Sequence, residues 1–152
     1  MGAEQQSQKA CSGIMGVWGA MASLEEATRQ PAVLVVEDEI LIRSAVAEFL
    51  RGAGYKVIEA ASAAEAVAIF ATRTQVDLVF SDINMPGPMD GLRLARWIAN
   101  HHPGIHVILT SAIGHARRAG QSGADFLSKP YRLAEAARRI ASLLNDPPHE
   151  DA

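Results

Sequence analysis

Short continuous apolar runs alternate along the chain with segments whose apolar residues recur at helical spacing. Val33 to Val36 is such a run and suits a strand buried on both faces. Ile40, Leu41, Ala45, Val46, Phe49 and Leu50 then follow a helical period, with Gly52 and Gly54 as the stop. Tyr55 to Ala60 reads as a second strand, and Ser62-Ala-Ala-Glu65 is a capping-box pattern that starts a helix reaching roughly to Ala71. Val76 to Phe80 is a third strand. After Gly91, residues Leu92, Leu94, Ala95, Trp97 and Ile98 mark a third helix, ended by His102-Pro103-Gly104. His106 to Leu109 is a fourth strand. The segment Ile113 to Gln121 contains two glycines and few apolar residues, so its helix should be short or frayed. Ala124 to Leu127 is a fifth strand, and Leu133, Ala136, Ala137, Ile140, Leu143 and Leu144 form a strong last helix before Pro147 and Pro148. Five alternating units with right-handed crossovers imply an α/β fold, a doubly wound five-stranded parallel sheet covered by helices on both faces.

Length bounds this to one domain, residues 31–146, in a chain of 152 residues. Residues 1–30 read as a disordered tail and 147–152 as a short C-terminal tail, too short for an output module. The stretch Ala10 to Ala22 loosely mimics a secretory signal, but glycines interrupt its apolar part; Met21 is an alternative natural start. A net charge of -3 with scattered basic residues argues against direct nucleic-acid binding. The single cysteine, Cys11, excludes a disulfide framework and a thiolate metal site, which fits a cytoplasmic setting. No apolar run is long enough for a spanning helix.

The sheet concentrates chemistry at one edge, because ligand crevices of open parallel sheets lie at the carboxyl ends of the strands. There the first strand delivers Glu37-Asp38-Glu39, the third Asp82, the fourth Thr110-Ser111 and the fifth Lys129-Pro130. Glu37, Asp38 and Asp82 make an all-oxygen set suited to a hard octahedral cation such as Mg2+. Without a cation these acids would repel one another, and the Lys129 ammonium or a divalent ion would restore their ionised forms. A carboxylate can act as the nucleophile of phosphoryl transfer, with metal, lysine and hydroxyl groups stabilising the phosphoryl oxygens. Asp82 is then the nucleophile, Lys129 a neutralising cation and Ser111 a donor to a phosphoryl oxygen.

Other residues have plainer readings. Glu39 is placed to cap the first helix rather than to bind metal. Trp97 belongs to the core. His101, His102, His106 and His115 lack metal-ligand spacing and read as surface or loop residues. Arg117 and Arg118 form a solvated face.

Val33-Leu-Val-Val-Glu-Asp-Glu39, Asp77-Leu-Val-Phe-Ser-Asp-Ile-Asn-Met-Pro86 with Met89-Asp-Gly91, and Ser128-Lys-Pro130 together resemble the response regulator receiver family of two-component signalling, over about Ala32 to Leu144. The resemblance implies a flavodoxin-like (βα)5 sheet of order 2-1-3-4-5. It implies Asp82 as phosphoacceptor and Mg2+ held by Asp38, Asp82, the Asn84 carbonyl and, through water, Glu37. It further implies Ser111 as the switch hydroxyl, Lys129 as the phosphate-contacting base, Phe126 as the switch aromatic and a cis bond before Pro130. The implied partners are a sensor histidine kinase or histidine phosphotransfer protein and an unnamed downstream protein; a homodimer is also open. Three features depart from the family pattern. Glu37 stands where Asp is commoner, the Met85 to Asp90 loop is one residue longer, and the Ser111 to Phe126 interval is about one helical turn shorter.

The leading expectation is a stand-alone receiver that signals by protein contact or passes phosphate on. A phosphate-independent adaptor is the alternative, with the set Asp38, Asp82, Ser111 and Lys129 standing against it. A phosphatase with an aspartyl nucleophile is a third reading. It would need a general acid two residues after Asp82, where Asn84 stands.

Overall fold

The computed structural model describes residues 29–112 and 116–145. The signal-like stretch, the expected N-terminal tail up to residue 28, the C-terminal tail and His115 lie outside these residues. The chain divides after Gln30 into two units, and the account concerns the second, Pro31–Ala152.

Among the described residues ten elements alternate in chain order. Strands β1 (Ala32–Val36), β2 (Lys56–Ala60), β3 (Leu78–Asp82), β4 (His106–Ser111) and β5 (Asp125–Ser128) alternate with helices α1 (Ile40–Gly52), α2 (Ala63–Ala71), α3 (Gly91–His101), α4 (Ala116–Gln121) and α5 (Leu133–Asn145). The strands form one sheet in the order β2-β1-β3-β4-β5. Every pairing is parallel, as the alternation and the resemblance implied.

Strand alternation divides the core into two layers. Leu34, Val36 and Val79 face Ala63, Ala66 and Phe70 of α2 and Leu94 and Ile98 of α3. Val33, Val35, Leu78, Phe80 and Ile108 face Val46 and Leu50 of α1 and Ala136 and Ile140 of α5. Because β1 and β3 lie inside the sheet with helices on both sides, all their residues are buried. That burial is why β1 and the first three residues of β3 read as unbroken apolar runs.

Local chemistry sets the helix starts. The Ser62 hydroxyl accepts from the Glu65 amide at 3.1 Å, and the Glu65 carboxylate reaches back to the Ala61 amide at 2.7 Å. Asp90 caps α3 by accepting from the Arg93 amide at 2.9 Å. Glu39 occupies the N-cap position of α1, but its side chain makes no capping bond. Its expected capping role is therefore corrected, since the carboxylate of a longer side chain lies less readily over the first-turn amides than that of Asp.

Two further expectations change. The buried face of α1 carries Val46, Ala47 and Leu50, whereas Ile40 and Leu41 are 64% and 83% exposed. Both sit in the first turn, ahead of the stripe that the helical period directs at the sheet. Strand β3 also runs two residues later than the apolar pattern indicated, because Ser81 and Asp82 pair with Val36 and Thr110 and continue the ladder. Helix α4 spans six residues and buries Ala119 alone among its described side chains, which agrees with a short helix.

Trp97 packs half-buried against the α2–α3 side of the core, as expected. His101 stacks on Trp97 with centroids 4.6 Å apart, and half-buried His102 stacks on Phe70 at 4.7 Å. His101 is exposed and His102 lies in the loop after α3, as expected, and both join an aromatic stack there.

Candidate functional site

The carboxyl ends of β1, β3, β4 and β5 bring the chemistry together. Glu37 and Asp38 follow the last residue of β1, Asp82 ends β3, Ser111 ends β4, and Lys129 follows β5. Carboxylate oxygens of Glu37, Asp38 and Asp82 lie within 4.8 Å of one another. Glu37 and Asp82 are buried, whereas Asp38 is exposed at the mouth.

Lys129 answers this negative charge. Its Nζ donates to Asp82 Oδ2 at 3.1 Å and lies 3.7 Å from Glu37 Oε2. Burial pulls the Lys129 ammonium toward the neutral form, but the hydrogen bond and charge of Asp82, with the charges of Glu37 and Glu39, outweigh it and raise the pKa. Glu37 is pushed up to about 7 by burial first and the neighbouring Asp82 charge second, against the Glu39 amide and Lys129, which favour the ionised form. Tyr131, edge-on to Phe80 with centroids 5.7 Å apart, is pushed up to about 12 by burial and then by the charges of Glu37 and Asp82.

Backbone contacts fix the acids. The Asn84 amide donates to Asp82 Oδ1 at 3.3 Å, and the Glu39 amide donates to Glu37 Oε1 at 3.3 Å. Gly91 brings the start of α3 against the end of β3, its amide donating to the Ile83 carbonyl at 2.9 Å. A Cβ there would fall on the Asp82 carbonyl oxygen and 2.8 Å from Ile83 Cα. The Lys129–Pro130 bond is cis. Phe126 is half-buried against Ile83, Leu92, Ala95, Leu109 and Ala119.

Sequence reasoning missed two contacts. Arg43 Nη1 donates to the Glu37 carbonyl at 2.8 Å, and its Nε lies 3.6 Å from Glu59 Oε1 on β2. A cation three and four residues before Val46 and Ala47, on the buried face of α1, was the signal that could have found it. Asn84 Nδ2 donates to Ser111 Oγ at 3.1 Å, across 27 positions of sequence. No sequence pattern carried that contact.

The donor set fits a hard divalent cation. Three carboxylates converge, two of them are buried close together, and all the donors are oxygen. Such an ion would be held among the carboxylates of Glu37, Asp38 and Asp82.

Comparison with known proteins gives one answer. The family model described as response regulator receiver domain matches residues 33–141. The chain is 39% identical over 103 residues to the response regulator protein FleR of Pseudomonas aeruginosa, covering 65% of this chain and 21% of FleR. It is 40% identical over 112 residues to the DNA-binding transcriptional regulator NtrC of Escherichia coli, covering 71% of this chain and 24% of NtrC. The chain thus spans about a fifth to a quarter of the length of these relatives. A crystal structure of a response regulator receiver domain protein from Clostridium thermocellum superposes with a TM-score of 0.70 at 28% identity, covering 76% of this chain and 94% of that one.

Proposed function

The chain belongs to the response regulator receiver domain family, and from that premise we propose that Asp82 accepts a phosphoryl group in a Mg2+-dependent reaction. One observation carries the reading. The Asp82 carboxylate stands 3.1 Å from the Lys129 ammonium, inside a cluster of three acids whose oxygens lie within 4.8 Å of one another.

In the proposed step an Asp82 carboxylate oxygen attacks phosphorus. An O–P bond forms as the bond from phosphorus to the donor nitrogen of a phosphohistidine breaks, and the imidazole leaves with its electron pair. Bound Mg2+ would supply charge neutralisation at the phosphoryl oxygens. Lys129 is already salt-bridged to Asp82, and its ammonium follows the negative charge onto the phosphoryl group. Ser111 Oγ supplies a hydrogen-bond donor at the end of β4, and Phe126 beside the α3–α4 cluster senses the change as the switch aromatic.

The proposed donor is a sensor histidine kinase or a histidine phosphotransfer protein in the cytoplasm, and the output is a protein contact. The domain is a signalling acceptor and not an enzyme of multiple turnover. Asn84 has no ionisable proton to offer a leaving group, which counts against the phosphatase reading. Among the described residues no helix is long and apolar enough to cross a membrane.

Incubation with a small phosphodonor and Mg2+ tests the proposal. It should yield an acid-stable, base-labile adduct on the wild-type protein and none on Asp82→Asn. Equal labelling of that variant would remove Asp82 from the role.

A further inference from the structure

We propose that the Asn84 side chain is a positioning residue, which holds the Ser111 hydroxyl aimed at the acidic site before any phosphoryl group arrives. The inference rests on the phosphoacceptor reading of Asp82 and adds a role for a side chain whose backbone carbonyl alone entered that reading.

The backbone around Ser111 is fixed at both sides. The Lys129 amide donates to the Ser111 carbonyl at 2.9 Å, and the Ile83 amide donates to the Thr110 carbonyl at 2.9 Å. Ser111 is fully buried at the end of β4. What remains free is the rotation about its Cα–Cβ bond, with three staggered wells. The bond from Asn84 Nδ2 at 3.1 Å selects one of them.

The direction of that bond matters. A side-chain amide nitrogen only donates, so Ser111 Oγ uses a lone pair toward Asn84 and keeps its own O–H to donate. The hydroxyl is therefore oriented without its proton being engaged by Asn84. Asn84 is itself tied to the acceptor, because its backbone amide donates to Asp82 Oδ1 at 3.3 Å. One exposed residue so links Asp82 to Ser111, two groups that both face an incoming phosphoryl group.

If Asn84 pre-sets Ser111, removing its side chain lets the hydroxyl sample the other wells, and ligand binding must select the productive one again. For the analogue beryllofluoride with Mg2+, Asn84→Ala should weaken binding about three- to five-fold, the range set by one rotamer choice and one hydrogen bond. Because the two side chains act as a unit, Asn84→Ala with Ser111→Ala should bind no more weakly than Ser111→Ala alone.

The test combines this titration with NMR of the Asn84 side-chain amide. Ser111→Ala should shift that amide and speed its hydrogen exchange, while Ser111→Thr, which keeps the hydroxyl, should restore both. An Asn84 amide indifferent to Ser111→Ala, or additive losses in the double variant, would overturn the proposal. Failure of the wild-type protein to bind beryllofluoride would instead sink the phosphoacceptor reading, and the NMR comparison would still decide whether Asn84 holds Ser111.

Discussion

Lys129 faces two buried carboxylates, Asp82 at 3.1 Å and Glu37 at 3.7 Å, so one ammonium offsets two potential charges. Glu37 resolves this by holding its proton to about pH 7, against 4.5 for the free side chain. A raised carboxyl pKa means that the folded state binds the proton more tightly than the unfolded chain. The contribution to stability is therefore full below pH 4.5 and is lost as pH rises through 7. In metal-free protein Glu37→Gln should remove this loss. At pH 8 the variant should be more stable than wild type by up to about 3 kcal/mol, narrowing to little difference near pH 4, as read from urea midpoints in EDTA. A wild-type advantage at pH 8 would contradict the burial argument. Gly91 is the second sensitive residue, since a methyl group there meets the Asp82 backbone directly. Gly91→Ala should cost about 1–3 kcal/mol and slow phosphodonor labelling, because the backbone that must yield carries the acceptor. At this scale the sequence reported the residues whose types are unusual for a strand end. Asp82, Glu37 and Lys129 stood out, while Arg43 and the Asn84 side chain did not, because their partners are set by tertiary approach.

At the scale of elements, α4 is the weak member. Six residues anchored by Ala119 fall short of the length at which a helix persists without tertiary support. Its amides should exchange faster than those of α3 or α5, and beryllofluoride should slow them selectively, as hydrogen-exchange mass spectrometry would record. Uniform protection across the helices would contradict this. Two glycines and sparse apolar residues made that weakness legible beforehand. Helix α1 was legible as a helix but not in its facing, since Ile40, Leu41 and Phe49 are apolar yet exposed. Periodicity reports a buried stripe only when apolar residues are confined to it. Strand β3 ended later than its apolar run, because Ser81 and Asp82 are polar residues that the parallel ladder still pairs. Asp77, just before β3, accepts from the Ala32 amide at 2.7 Å and ties that strand's start to β1. Asp77→Ala should cost about 1–3 kcal/mol of stability, the penalty for a buried donor left without its acceptor, measurable by denaturant unfolding.

For the whole molecule, the doubly wound sheet is what turns four separated sequence segments into one site. Parallel strands place their carboxyl ends together, so the fold class and the location of the chemistry were readable from the same alternation. The site's internal bonds were not, since each joins segments far apart in sequence. Metal binding should feed back on the fold. At a free Mg2+ concentration ten times its Kd the protein should gain about 1.4 kcal/mol of stability, and Asp38→Asn should abolish the gain. The affinity should fall as pH drops below 7, where Glu37 takes up its proton. The claim on which the rest depends is that Asp82 carries the phosphoryl group. Borohydride reduces an aspartyl phosphate to homoserine, so protein treated with a small phosphodonor and Mg2+, then reduced and digested, reports the modified residue by peptide mass. Homoserine at position 82 alone is the predicted result. Homoserine at another aspartate, or at none, would contradict the account.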